Sequence, residues 1–186
     1  KYKGLVVTST NSVVLPKTSF YTASKIAAEA LAKAWVDTYN RPIVIVRPFS
    51  VTGVGEQPQH LIPTLIRSCL EGELAPFVEA PVHDFIDVED VVQALLTVAH
   101  HAEEYKGMIF DIGSGKQYTN QEVREIVERV TGKRAKISLS TQELRRYDTD
   151  KVWIADNAKL RALGWQPTKT LEQSITEMVK YARDRT

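Results

Sequence analysis

Ile43-Val44-Ile45-Val46-Arg47-Pro48 decides the fold. Its first four residues are a continuous β-branched run, the pattern of a strand buried on both faces of a parallel sheet, and Arg47-Pro48 closes it at its C-terminal edge. Upstream, residues from about Tyr21 to Asn40 are rich in Ala, Leu, Lys and Glu and read as a helix, with Ile26, Ala30, Ala34 and Val36 expected on its apolar face; Arg41-Pro42 ends it. Before that helix comes a β-rich run, Leu5-Val6-Val7-Thr8, so close to the first residue that the chain is expected to start in mid-sheet.

The alternation continues downstream. His60 to Leu70 reads as a helix, Asp84 to Val88 as a short strand, Asp90 to His101 as a helix, and Met108 to Ile112 as a strand stopped by Gly113-Ser114-Gly115. Thr119-Asn120-Gln121-Glu122 and Thr170-Leu171-Glu172-Gln173 are capping boxes that open two further helices, the first ending near Gly132 and the second burying Ile175, Met178, Val179 and Ala182; Lys136 to Leu139 is a strand between them. Buried-type strands alternating with helices predict an α/β fold with a partly parallel sheet. Ligands in such sheets bind beyond the carboxyl ends of the strands, which directs attention to the residues after Thr8, Val46 and Phe85.

Composition narrows the function classes. The 186 residues carry a formal charge of +1, 43% apolar and 25% charged residues, an ordinary globular balance without the basic excess of a nucleic-acid binder. Cys69 is the single cysteine, so neither an intrachain disulfide nor a thiolate metal cluster can form, and a cytoplasmic setting is the default expectation. No apolar run is long enough to span a bilayer, and no membrane segment is expected. The nine glycines never form a Gly-x-Gly-x-x-Gly loop, the turn that lets backbone amides approach a pyrophosphate.

Tyr21 and Lys25 stand four positions apart on the expected helix, hence on one face about one turn apart. A free phenol titrates near ~10, too high for a base at neutral pH; an ammonium beside it favours the phenolate and makes an acid or base of it. A hydroxyl from the preceding strand end, Thr10 or Ser12, could complete a three-part constellation. A Tyr-x-x-x-Lys spacing alone has little specificity, and a solvated lysine beside a half-buried tyrosine is its ordinary structural reading.

The neighbours raise that specificity. Val7-Thr8-Ser9-Thr10-Asn11-Ser12-Val13, Ser19-Phe20-Tyr21-Thr22-Ala23-Ser24-Lys25 with Glu29, Val46-Arg47-Pro48-Phe49-Ser50-Val51-Thr52-Gly53, His83-Asp84-Phe85-Ile86-Asp87-Val88-Glu89-Asp90-Val91, Phe110-Asp111-Ile112-Gly113-Ser114-Gly115 and Leu163-Gly164-Trp165-Gln166-Pro167 follow one another in order. Together they resemble the extended short-chain dehydrogenase/reductases, the family of nucleotide-sugar epimerases, dehydratases and reductases, over nearly the whole chain. The resemblance implies the C-terminal part of a Rossmann-type doubly wound sheet plus a smaller α/β substrate-binding domain. It places the first unit at residues 1–55 and the second mainly at 56–186, with segments at about 83–112 returning to the first.

It further implies bound NAD or NADP, with Thr8, Ser9, Tyr21, Lys25, Pro48 and Phe49 at the cofactor, Tyr21 as acid/base, Lys25 on the nicotinamide ribose and Thr10 as the hydroxyl partner. Substrate contacts carried over are Ser12, Ser50, His60, Leu61, Phe77, His83 and Arg146, the last keeping the spacing to Ala155-Asp156 of an arginine that meets the nucleotide phosphate. Ser50, His60 and His83 depart from the family's Asn, Asn and Arg, which weakens diphosphate binding as normally built. Structural roles compete for several of these: His60 as a helix cap, His83 as an edge histidine, Phe77 as core. Trp35, Trp153 and Trp165 are expected in the core, and Asp84, Asp87 and Asp90 are not read as a metal site.

The eleven positions from Thr10 to Tyr21 are fewer than the family places there, which reads either as residues left out of the sequence between Val14 and Tyr21 or as a deletion that opens the site. Asn11-Ser12 stands where dehydratases carry an Asp-Glu acid and base, so epimerase or reductase is favoured over dehydratase. A non-catalytic relative that keeps the fold is the reading from a different class. A homodimer paired through the Tyr21 helix is expected by analogy.

Overall fold

In a computed structural model, which describes residues 3–15, 19–139 and 152–185, Ile43–Pro48 forms strand β2 at the centre of a three-stranded parallel sheet. Its neighbours are β1 (Leu5–Thr8), in register Leu5 with Ile43, and β6 (Ile109–Ile112), in register Ile45 with Ile109. The alternation of β2 explains its unbroken apolar run. Val44 and Val46 face helix α3 (Val88–His100), packing with Ala94, Val98 and Phe110, while Ile43 and Ile45 face helix α1 (Phe20–Tyr39) and Ala32. Residues far downstream return to this layer: Leu160, in the short helix α5 (Ala158–Ala162), and Trp165 are buried with Val44 and Val46.

The chain leaves the first sheet at Phe49. Ser50–Thr52 is strand β3, pairing in parallel with β5 (Val82–Asp87), which pairs antiparallel with β7 (Gln117–Thr119). A third, two-stranded sheet joins β4 (Ala75–Phe77) to β8 (Ile137–Leu139). Over these lie α2 (Leu61–Glu71), α4 (Asn120–Thr131) and α6 (Leu171–Arg183), whose Ile62, Leu65, Val123, Val127, Ile175 and Val179 share one core with Phe77 and Phe85. Both expected capping boxes form, at Thr119 with Glu122 and at Thr170 with Gln173.

The structure corrects several expectations. The buried residues of α1 are Thr22, Glu29 and Ala32, whereas Ile26, Ala30 and Ala34 are exposed and Val36 only partly covered. Trp35 is half exposed, at 50%, with its ring edge-on to Tyr39; Trp165 is buried as expected, its indole N–H donating to the Asp90 carbonyl at 3.1 Å. Among the described residues, no helix is long and apolar enough to cross a membrane.

Candidate active site

β1 ends at Thr8, and its last carbonyl anchors the candidate lysine: Lys25 Nζ donates to Thr8 O at 3.0 Å. The same ammonium stands 5.7 Å from the centroid of the Tyr21 ring, so the one-turn spacing read from the sequence becomes a real adjacency. Tyr21 is 58% exposed, accessible to a reacting group. Ser19 caps α1 by accepting from the Thr22 N–H at 3.1 Å, which fixes where the helix starts and therefore where Tyr21 points.

After β1 the chain makes a single 3₁₀ turn, Asn11–Val14, capped by Thr10. This turn folds the hydroxyls together. Ser12 Oγ donates to Thr10 Oγ1 at 3.3 Å and lies 3.3 Å from Thr22 Oγ1, which in turn is 3.0 Å from Ser19 Oγ. Thr10 and Ser12 are thus both held beside the start of the Tyr21 helix.

Arg47, Pro48 and Phe49 leave the C-terminal edge of β2 beside this group. Pro48 and Phe49 are partly buried, and Phe49 packs against Trp153, ring centroids 5.7 Å apart. Trp153 was expected in the core; it is instead half-buried against a candidate cofactor residue. Arg47 forms a bidentate fork on Glu29, Nε to Oε1 at 2.8 Å and Nη2 to Oε2 at 2.7 Å. Burial alone would raise the Glu29 carboxyl, but the hydrogen bonds and the charge of Arg47 outweigh it and hold the group below its ordinary value. Asp111, level with Arg47 in the β2–β6 register, is pushed up by burial despite the attraction of Arg47.

The expected substrate residues scatter around β3 and β5. Ser50 is partly buried on β3. His60 takes the N-cap position of α2 but makes no capping bond; its Nδ1 lies 3.2 Å from Glu56 Oε1, and Leu61 begins the helix. His83 pairs in register with Tyr118 across the β5–β7 ladder and meets Phe85 edge-on, ring centroids 5.6 Å apart. Phe77 is 2% exposed, a core residue with the Arg124 guanidinium 5.4 Å over its ring, so it offers no open platform for a base in this structure. Arg146 lies outside the described residues.

Lys116, which the sequence reading passed over, brings its ammonium 4.8 Å over the ring of Tyr118, the register partner of His83. Only the cross-strand register reveals it. Asp84, Asp87 and Asp90 are structural acceptors. Asp84 takes bonds from the Ser114 and Gly115 backbone, the Ser114 hydroxyl and the Ala155 N–H; Asp87 caps α3 and accepts from Ser174; Asp90 accepts from Thr168 and Lys169.

A tyrosine, an anchored lysine and a strand-end hydroxyl gathered at the carboxyl edge of a parallel sheet are the arrangement the sequence motifs imply. Residues 6–113 match the family model described as the NAD dependent epimerase/dehydratase family. The chain belongs to that family. It is 31% identical over 164 residues to the low-salt glycan biosynthesis protein Agl12 of Haloferax volcanii, covering 87% of this chain and 51% of that protein. With dTDP-glucose 4,6-dehydratase 1 of Escherichia coli K12 it shares 31% identity over 183 residues, covering 92% of this chain and 49% of the enzyme. The solved structure of MoeE5 in complex with UDP-glucose and NAD superposes with a TM-score of 0.86 at 26% identity, covering 98% of this chain and 66% of that one. The chain therefore spans about half the length of the curated relatives it matches.

Proposed function

We propose that this chain supplies the acid/base and substrate-facing portion of an NAD(P)-dependent enzyme that acts on a nucleotide-sugar as an epimerase or reductase. The observation that carries the reading is Lys25 held on the Thr8 carbonyl beside Tyr21, with the Thr10 and Ser12 hydroxyls linked to the same helix start. These residues, with Pro48 and Phe49 at the end of the neighbouring strand, would hold the nicotinamide end of a dinucleotide, the anchored Lys25 ammonium being a donor for a ribose hydroxyl and Ser9 keeping a buried hydroxyl at the same edge. The bound cofactor supplies a hydride acceptor and donor. Tyr21 would take the proton from a sugar hydroxyl and give it back on the return, with the Lys25 ammonium beside it and the Thr10 hydroxyl available to hydrogen-bond the reacting oxygen. On the β5–β7 side, the Lys116 ammonium, over the ring of Tyr118, the register partner of His83, is suited to meet the diphosphate of the substrate.

A second reading, the 4,6-dehydratase, is favoured by the likeness to dTDP-glucose 4,6-dehydratase 1 of Escherichia coli and opposed by Asn11-Ser12, which offers no carboxylic acid to expel the sugar hydroxyl. Incubation of the active protein with UDP-, GDP- and dTDP-sugars separates the readings. An inverted or reduced sugar supports the first, and loss of water from the sugar supports the second. Cofactor binding with no turnover on any of them would show a non-catalytic relative. A Tyr21→Phe variant as active as the parent overturns the acid/base assignment.

The outer face of α1 supports pairing of two copies. Phe20, Leu31 and Trp35 are 98%, 64% and 50% exposed, an apolar surface on the helix that carries the candidate catalytic pair.

A further inference from the structure

We infer that Glu29 and Arg47 are positioning residues whose bidentate pair sets the register of Lys25 against the sheet and so couples the acid/base helix to the strand that carries Pro48 and Phe49. Tyr21, Lys25 and Glu29 follow one another at four-residue intervals along α1 and so lie on one side of the helix. Lys25 is fixed at one end of that line by the Thr8 carbonyl on β1, and Glu29 at the other by Arg47 on β2. Two adjacent parallel strands thus each hold one turn of the helix.

The fork is costly unless it is needed. Glu29 is a buried acid, 8% exposed, on a helix whose opposite side exposes apolar residues, and such a carboxylate is tolerated only because a guanidinium satisfies both its oxygens. Arg47 is itself balanced on its other side by Asp111, its register partner on β6, and its pKa is raised chiefly by the Glu29 bond. The planar fork permits one relative placement of helix and strand, because two parallel N–H···O bonds fix rotation as well as distance. Arg47 immediately precedes Pro48 and Phe49, so that placement also sets the distance between the Tyr21–Lys25 pair and the expected cofactor wall. An apolar contact in the same place would hold the helix down but would let it slide.

The inference rests on the proposed role of the Tyr21–Lys25 pair, and its test is chosen to stand apart from turnover. Competitive acetylation with limiting acetic anhydride, quantified by mass spectrometry, reports how well Lys25 Nζ is held. In Glu29→Gln, Lys25 is expected to label several-fold faster relative to Lys180, exposed on α6 and remote from the fork, than in the parent. Arg47→Lys, which keeps the charge but loses the planar fork, is expected to do the same. Glu172→Gln removes the exposed fork between Arg129 and Glu172 and should leave Lys25 labelling unchanged. In the active enzyme the two α1–β2 variants should lower kcat about tenfold with KM for the nucleotide-sugar within about twofold, since remote binding is intact. Circular dichroism establishes that each variant is folded; should Glu29→Gln unfold, Arg47→Lys carries the test. Unchanged Lys25 labelling in a folded variant overturns the inference, whatever the outcome of the nucleotide-sugar assays.

Discussion

Lys25 Nζ donates a hydrogen bond to the carbonyl oxygen of Thr8, 3.0 Å away and seventeen residues earlier in the chain. That bond joins the helix of the candidate acid/base to the carboxyl end of a strand, where open parallel sheets bind their ligands. An ammonium so anchored cannot wander with its four-carbon stem, and its charge stays beside Tyr21.

Lys25→Met retains the stem and removes both the anchor and the charge. Its kcat/KM is expected to fall by about two to four powers of ten, the range for loss of acid/base assistance, with Tyr21→Phe falling comparably. Because the two act as a unit, the double variant should lose little more than either alone. Steady-state kinetics on the three variants checks this, and additive losses would count against a shared role.

Asp84 holds together three segments distant in sequence. It is fully buried and accepts from Ser114, Gly115 and Ala155, while Gly113 runs so close that an added Cβ would lie 2.7 Å from the Asp84 carboxylate and 2.5 Å from the Ala155 side chain. Asp84→Ala leaves the buried Ala155 N–H and the partly covered Ser114 and Gly115 N–H groups without their acceptor, at about 1–3 kcal/mol for a buried donor, so urea denaturation should show a loss of about 3–5 kcal/mol. Gly113→Ala should destabilise by overpacking the same point, by about 1–3 kcal/mol. A midpoint within error of the parent for either would remove the structural role assigned here.

The parts of this molecule that were legible in the sequence are those whose cause is local. The β-branched run at Ile43 to Val46 and the two capping boxes state their own geometry, and each forms where it was read. Strands β3, β4 and β7 have three residues each, too short to show any period, and exist because β5 and β8 offer them partners. The buried face of α1 was misread because that helix is apolar on the side it exposes and carries a carboxylate on the side it buries; nothing near Glu29 in sequence announces that Arg47, eighteen positions later, will neutralise it. At the candidate site the adjacency of Tyr21 and Lys25 was legible from their spacing, whereas Lys116 needed the β5–β7 register. Phe77 reads in sequence equally as core and as stacking platform, and its burial, set by α2 and α4 packing over it, is a tertiary fact that no local pattern carries.

Leu31 is 64% exposed on the outer face of α1, beside Trp35 and away from the Glu29 fork. If two copies pair there, Leu31→Glu places a charge in an apolar contact and should convert a sedimenting dimer to monomer while leaving the unfolding free energy of the monomer within about 0.5 kcal/mol, as for an exposed site. Sedimentation velocity over a range of concentrations reads both species. A parent that sediments as a monomer at every concentration defeats the pairing outright.

Glu56 gives a pH-dependent test of the loop that leads from β3 to α2. Burial pushes its carboxyl up, although Thr52, His60 and the Gly53 backbone all favour the charged form. For an acid whose pKa is raised on folding, the unfolded chain ionises first; the cost to stability is absent below the ordinary glutamate value of 4.5, grows as pH rises through it, and levels off above the folded value. Glu56→Gln keeps an acceptor for the Thr52 hydroxyl, 2.7 Å away in the parent, and cannot ionise. The stability of the variant relative to the parent should therefore improve from pH 4 to about pH 7, measured by urea unfolding at each pH. A difference that stays flat across this range, or that moves in favour of the parent, would show that Glu56 is stabilised as a carboxylate by His60 and that burial is not what governs it.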